Sequence, residues 1–146
     1  MVKRRDQIAA ATSVCVVLIV VALGFFLSGS PEHQRMLGAD ARRTDDLSVI
    51  ALRLHASFAA ALPANLSELA SASDLRLADR VTGTPYEYHR GPRTSYSICA
   101  NFSLPTPADE LPPQQVFWHH PAGRYCYSLD SSQQPPPHTP DYRVYQ

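Results

Sequence analysis

The stretch TGTPYEYHRGPRTSYSICANF, residues 82–102, decides the fold that the sequence predicts. Its YEY segment, residues 86–88, alternates as a strand does, Gly91-Pro92 turns the chain, and YSICANF, residues 96–102, returns with the same alternation. The DRVTGT segment just before it, residues 79–84, is typical of a turn. The stretch therefore predicts an antiparallel hairpin with one face available for packing.

An amphipathic helix precedes this hairpin, with Asp40 as its candidate N-cap and Pro63 marking its end. Spacings of 3, 4 and 4 residues place four apolar side chains on one face, namely Leu47, Ile50, Leu54 and Phe58. Several charged residues fall mostly off this stripe, namely Arg42, Arg43, Asp45, Asp46 and Arg53. The predicted fold class is α+β, a long amphipathic helix packed on a small antiparallel sheet.

A transmembrane helix is predicted before this domain. Residues 8–27 form a run of 20 without a charge, and at about 1.5 Å per residue such a helix spans a hydrocarbon core of about 30 Å. The basic residues Lys3, Arg4 and Arg5 should stay in the cytoplasm, so the rest of the chain is exported. A cleaved signal peptide is the alternative, although its apolar region is usually shorter and Pro31 is unfavourable for cleavage after Ser30.

The predicted organisation has five parts. Residues 1–7 form a cytoplasmic basic tip, 8–27 the transmembrane helix and 28–39 a juxtamembrane linker, in which Ser30 caps a turn or short helix. Residues 40–130 form the extracytoplasmic domain, and residues 131–146 a disordered, proline-rich tail. The predicted location is the bacterial cell (inner) membrane, with a single pass and the C-terminal domain outside the cytoplasm.

Composition sets limits on function. The chain has 146 residues, enough for one small domain, and its 13 basic and 13 acidic residues give no net charge. Nothing in this balance indicates nucleic-acid binding. The expected partners are the lipid bilayer and other envelope or secretion-system proteins, with no small-molecule substrate.

Two of the three cysteines, Cys99 and Cys126, lie in strand-like segments of the exported part, whereas Cys15 lies in the apolar run. An oxidising compartment permits a structural disulfide between Cys99 and Cys126, which would stabilise a small domain. Two free thiols or a redox pair are the alternatives, although the C-x-x-C spacing of redox motifs is missing. The disulfide is the prediction.

The aromatic residues could form a binding face or a small core. VFWHH, residues 116–120, and RYCYSL, residues 124–129, read as a final hairpin or strand. Tyr86, Tyr88, Trp118 and His119 are a possible interaction surface, and the alternative is a core of tyrosines whose hydroxyls stay hydrated. Adjacent histidines in a strand point to opposite faces, so no metal is predicted at His119.

The order of several short motifs resembles a known family. The chain has an apolar N-terminal helix, then DARRTDDLSVIALRLHASF, LPANLSEL, DRVTGTPYEY and YSICANF. This order resembles the globular region of type IV pilin-like proteins, especially the major pseudopilin of type II secretion. It is similar also to a group of uncharacterised membrane-anchored bacterial proteins with PYEY, LCAxF and WxHxxGxxC motifs. The last of these motifs corresponds here to WHHPAGRYC, residues 118–126. The resemblance covers about residues 1–130 and implies a pilin-like domain.

Two departures limit what the resemblance implies. The prepilin leader, with glycine, phenylalanine and a glutamate five residues into the mature helix, does not occur, so processing into a pilus is not predicted. The major pseudopilins also share a calcium loop, but Asp109 and Glu110 are the only adjacent acids in the comparable loop. Because calcium takes six or more oxygen ligands, neither a metal nor another cofactor is predicted.

Two classes of function remain open at this point. The motifs of hydrolases, metalloproteases and phosphate-binding loops do not occur, so no catalytic residue is assigned. The prediction is a non-enzymatic structural or interaction protein of the envelope. The alternative is a small extracytoplasmic ligand-binding module or enzyme that uses the region from Trp118 to His120.

Overall fold

The computed structural model describes residues 2–28, 30–57, 61–72, 75–107 and 113–138. The chain is α+β and divides into two compact units, residues 1–35 and residues 36–146. In the first unit, helix α1 (Val2–Ser28) contains an apolar window, Gln7–Gly24, that is long and apolar enough to cross a membrane. None of this window is buried inside the protein, and a signal sequence would pass the same test.

Helix α2 spans Pro31–Ser57. Ser30, which the sequence predicts as the cap of a turn or short helix, is the N-cap of α2 itself, because its hydroxyl accepts a hydrogen bond from the His33 amide at 3.2 Å, with Pro31 at the first helical position. The helix begins earlier than Asp40, so residues 31–39 of the predicted linker are helical and Gly38 does not interrupt them. A single glycine costs a helix only about 1 kcal/mol, which the neighbouring turns offset.

Three antiparallel strands form the sheet in the order β1 (Glu87–Arg90), β2 (Ser95–Phe102) and β3 (Gly123–Asp130). Strands β1 and β2 are the predicted hairpin, and β2 is central. The register places Ile98 opposite both Tyr88 and Tyr127, and it places Cys99 opposite both Glu87 and Cys126. Since side chains alternate along a strand, these two rows lie on opposite faces of the sheet.

The core lies on the face that carries Ile98. Leu47, Ile50 and Leu54 of α2 are fully buried and belong to the same apolar cluster as Ile98 and Phe102. The predicted helical stripe is therefore confirmed for these three residues, whereas Phe58 lies outside the described residues. Burying each aliphatic side chain stabilises the fold by about 1.5–3 kcal/mol, so this cluster is the main apolar contribution of α2.

Two short segments form 3-10 helices. LSELASA (Leu66–Ala72) is a 3-10 helix, and its Glu68 carboxylate accepts a hydrogen bond from the Ala64 amide at 3.1 Å. The second segment, Pro113–Trp118, is also a 3-10 helix, so the prediction of a strand at residues 116–120 is wrong. Trp118 is 1% exposed, and its carbonyl accepts the Tyr127 hydroxyl at 2.8 Å, which favours a turn toward the core over an extended strand.

Part of the predicted tail lies on the domain. The Ser131 amide donates to the Thr94 carbonyl at 2.9 Å, and the His55 ring nitrogen Nδ1 lies 2.8 Å from the Gln133 carbonyl. His138 Nε2 lies 2.5 Å from an Asp45 carboxylate oxygen on α2. These contacts hold residues 131–138 against the domain, and residues 139–146 lie outside the described residues.

Candidate functional site

A buried ionic network surrounds Arg43 on α2. The Arg43 guanidinium donates to the Asp79 carboxylate from Nε at 2.8 Å, to the Asp40 carboxylate from Nη1 at 2.5 Å and to the Ser103 hydroxyl at 3.0 Å. The side chains of Arg43 and Asp40 are each 5% exposed. This cation is therefore placed between two acids that come from separate parts of the chain.

Asp40 joins the helix to the end of β2. Its two carboxylate oxygens accept the Ser103 amide at 2.9 Å and the Leu104 amide at 2.8 Å, in addition to Arg43. The sequence predicted Asp40 as a helix cap, and that prediction is wrong, because the carboxylate binds amides of the segment after β2 instead. A carboxylate that accepts several charge-assisted bonds is well suited to a buried position.

Asp79 joins the helix to the turn before the sheet. Its carboxylate accepts the Val81 amide at 2.8 Å and the Thr82 hydroxyl at 3.0 Å as well as Arg43. Burial by itself would raise the pKa of Asp79, but the donors from Val81, Arg43 and Thr82 outweigh it and hold this pKa below its usual value. Gly83, at a φ of 71°, closes the turn by donating to the Asp79 carbonyl at 2.8 Å.

A second polar contact lies beside the first. Asp46 accepts the Tyr86 hydroxyl at 2.9 Å and the Arg80 guanidinium at 3.0 Å. Burial raises the pKa of Tyr86, and the negative charge of Asp46 raises it further, so this phenol remains a hydrogen-bond donor. Asp46 is itself buried, as are four other polar residues of the same helix, namely Asp40, Arg43, Thr44 and Asp45. Most of the charged residues that fall off the apolar stripe thus serve contacts within the domain.

A disulfide between Cys99 and Cys126 lies on the opposite face of the sheet. The two cysteines are directly opposite each other on β2 and β3, with their Cα atoms 4.0 Å apart. Cys99 is 1% exposed, whereas Cys126 is partly exposed. The predicted pair is present, and Cys15 is free.

An ion pair crosses the sheet above this disulfide. Arg124 of β3 and Glu87 of β1 are separated by the central strand, yet Arg124 Nη2 lies 2.6 Å from a Glu87 carboxylate oxygen. The same nitrogen lies 3.8 Å from the Cys99 sulfur. Hydrogen bonds from Arg124 lower the pKa of Glu87 to about 2, so this carboxylate is charged at neutral pH. His89 Nε2 lies 3.4 Å from the same carboxylate.

The predicted interaction surface is divided between several environments. Tyr86 is 7% exposed and Trp118 1%, so both belong to the core. Tyr88 is partly buried and donates its hydroxyl to the Pro63 carbonyl at 3.1 Å. His119 is partly exposed. The structure does not bring these four side chains to one exposed face.

His120 is also buried. Its ring stacks on Phe102 with 3.6 Å between the ring centroids, and burial lowers the pKa of His120. Asp109 and Glu110, the adjacent acids for which no calcium site is predicted, lie outside the described residues. The region from Trp118 to His120 thus packs against β2 and β3.

An open groove of about 540 Å³ lies at the end of the sheet near the β1–β2 turn. Polar side chains supply much of its lining, including His89, Arg90, Asp130 and Gln133. A turn with Arg93 at a φ of 56° borders it. The ends of the strands and the segment after β3 form the walls of the groove. None of the four residues of the predicted interaction surface lines it.

Sequence reasoning did not find the Arg43 network or the ion pair above the disulfide. Asp79 and Ser103 are separated from Arg43 by 36 and 60 residues, so periodicity within the helix carries no signal of them. The DARR and DRVTGT motifs can be recognised in the sequence, but the sequence does not show that their side chains contact each other. Comparison of the chain with family models, with characterised proteins and with solved structures found no significant match.

Proposed function

We propose that this chain is a single-pass membrane protein that holds a small α+β domain outside the cytoplasm. One observation carries the proposal. The Gln7–Gly24 window of α1 is apolar and none of it is buried inside the protein. In water, such a surface is unfavourable by about 25 cal/mol for each Å² of apolar area, whereas a lipid core would cover it.

Two further features support this orientation. Lys3, Arg4 and Arg5 flank the apolar helix on its N-terminal side, and positive charge next to a membrane helix favours the cytoplasm. The disulfide between Cys99 and Cys126 supports an oxidising compartment for the domain. The membrane in this proposal is the bacterial cell (inner) membrane.

For the domain we propose a non-enzymatic structural or interaction role with a pseudopilin-like fold. The motifs that carry the resemblance meet in one place, because DARR supplies Asp40 and Arg43, DRVTGT supplies Asp79, and PYEY supplies Tyr86. Each of these side chains holds α2 to a turn or a strand. The motifs thus support a shared fold, and the burial of Trp118 and His120 weighs against a ligand site built on them.

Mass spectrometry of the mature protein separates an anchor from a cleaved signal peptide. The anchor predicts an intact chain that stays in the membrane fraction after alkaline carbonate extraction. A shortened chain that begins after residue 28 and is released by carbonate would contradict the proposal. The variant Leu18→Arg is the matched perturbation, since a charge at the centre of the span should reduce membrane retention.

Photo-crosslinking from membranes tests the interaction role. A photoreactive amino acid replaces Leu52 or Val81, which are 55% and 64% exposed on the domain, and a control replaces Ala10 in the apolar helix. An envelope protein that is enriched from the domain positions over the control supports the role, and a secretion or pilus component would support the pseudopilin-like form. Equal adducts at all three positions would contradict it.

A further inference from the structure

The outer face of the sheet gathers four side chains that could bind a metal. Glu87 and His89 lie two residues apart on β1, so they share a face, and Glu87 is opposite Cys99 in the register. The ligand atoms of Glu87, His89 and Cys99 lie within 4.8 Å of one another. Cys126 contributes a fourth atom, because its sulfur is bonded to that of Cys99.

We propose that the reduced form of this protein binds one Zn²⁺ through Cys99, Cys126, His89 and Glu87. Two thiolates, one imidazole and one carboxylate are donor types that zinc accepts in a tetrahedral site. In the oxidised protein, the sulfurs are joined to each other and are not thiolates. The disulfide and the zinc site are therefore alternative states of the same two cysteines.

The step between the two states is a thiol–disulfide exchange with a dithiol reductant. A reductant thiolate attacks the sulfur of Cys126, which is the more exposed residue of the pair, the S–S bond breaks, and Cys99 leaves as a thiolate. The second reductant thiol then displaces Cys126, and the reductant ends as a disulfide while the protein gains two electrons. Zn²⁺ binding afterwards releases the protons that the two thiols carry.

The Arg124 side chain favours the first step. Its guanidinium nitrogen Nη2 lies 3.8 Å from the Cys99 sulfur, so it stabilises the thiolate that leaves. Arg124 also holds Glu87, which must change partner from the guanidinium to the metal. Glu87 and His89 are 47% and 60% exposed in their side chains, so both can turn without opening the core.

The required movement is small. With Zn–S bonds of about 2.3 Å, a tetrahedral site separates its two sulfurs by about 3.8 Å. Cys99 and Cys126 already face each other across β2 and β3, so side-chain rotation can supply this separation while the strands remain paired. The other face of the sheet, with Ile98 and Tyr127, keeps the core in place.

Metal titration of the full chain in detergent tests the proposal. The Cys15→Ser background removes the one other thiol, and the protein is reduced with a phosphine and titrated with Co²⁺ and then Zn²⁺. We expect one metal per chain in the reduced form, the thiolate–cobalt and tetrahedral absorption bands, and no binding before reduction. A reduced protein without these bands would overturn the proposal.

The matched variants are His89→Ala and His119→Ala. Loss of His89 should weaken Zn²⁺ affinity by more than about tenfold, whereas loss of His119, which lies outside the cluster, should leave it unchanged. Equal affinity in the two variants would show binding by thiols alone and would overturn the site. If reduction unfolds the domain, His89 no longer lies beside Cys99, and loss of His89 should then cost no more Zn²⁺ affinity than loss of His119, which would also overturn the site. Glu87→Gln should also weaken binding.

Discussion

Replacement of Arg43 by methionine should strongly destabilise the domain. Methionine keeps the length and apolar stem of the side chain but removes the guanidinium from between Asp40 and Asp79. Removing one partner of a buried ion pair costs about 3–5 kcal/mol, since the remaining charge stays buried without compensation. Because Asp40 still accepts hydrogen bonds from the Ser103 and Leu104 amides in the variant, we expect a loss of stability at the lower end of this range, about 3 kcal/mol.

The measurement is thermal unfolding of the full chain in detergent, followed by fluorescence of Trp118. Trp118 is the only tryptophan in the chain and is 1% exposed, so its emission reports on the core. A loss of about 3 kcal/mol lowers the Tm of a domain of this size by roughly 10–20 °C. Arg53→Met is the matched control, because Arg53 is exposed on the same helix.

The pH dependence gives a second check on the same variant. The pKa of Asp79 is lowered in the folded protein, so its contribution to stability is present above the unfolded pKa of about 3.9 and is lost as the pH falls through the folded pKa. The difference in Tm between wild type and Arg43→Met should therefore shrink in acid. If Arg43→Met lowers the Tm no more than Arg53→Met does at neutral pH, the network does not hold the fold.

Three further predictions use the same unfolding assay. Replacing Cys99 and Cys126 together by serine should lower the free energy of unfolding by roughly 3–4 kcal/mol, given their sequence separation of 27, while the control Cys15→Ser should leave it unchanged. If the double variant is as stable as Cys15→Ser, the disulfide is incidental to the fold. The pKa of His120 is lowered by burial, so stability should fall as the pH drops below the unfolded histidine pKa of about 6.5, and His120→Phe should flatten this dependence. Tyr86→Phe should cost about 1–2 kcal/mol through the lost bond to Asp46, and a neutral result would assign Tyr86 to packing alone.

Local patterns in the sequence predicted much of the fold. The apolar spacing of Leu47, Ile50 and Leu54 identified the buried face of α2. The Ser30-Pro31 pair indicated a helix start, although the sequence assigned it to a separate short element and placed the start of the long helix at Asp40. Alternation around Gly91-Pro92 predicted the β1–β2 hairpin. Each of these features depends on neighbours within a few residues, which is why the sequence is informative about them.

The rest depends on contacts between distant residues. Charged side chains such as Arg43 and Asp46 look solvent-exposed by periodicity, and only partners far along the chain explain why they are buried. Asp40 has the side chain of a helix cap, but the amides after β2 bind it. For the candidate site, the sequence suggested the cysteine pair, but not the placement of Glu87, His89 and Arg124 beside it.

The central claim is that α1 anchors the domain outside the cytoplasm, and cysteine labelling in intact cells tests it most directly. In a Cys15→Ser background, Val81→Cys adds a thiol at a site that is 64% exposed, whereas Val2→Cys adds one at the basic tip. We predict that a membrane-impermeant maleimide labels Val81→Cys in intact bacterial spheroplasts and labels Val2→Cys only after lysis. Protection of Val81→Cys until lysis, or labelling of Val2→Cys before it, would contradict the account.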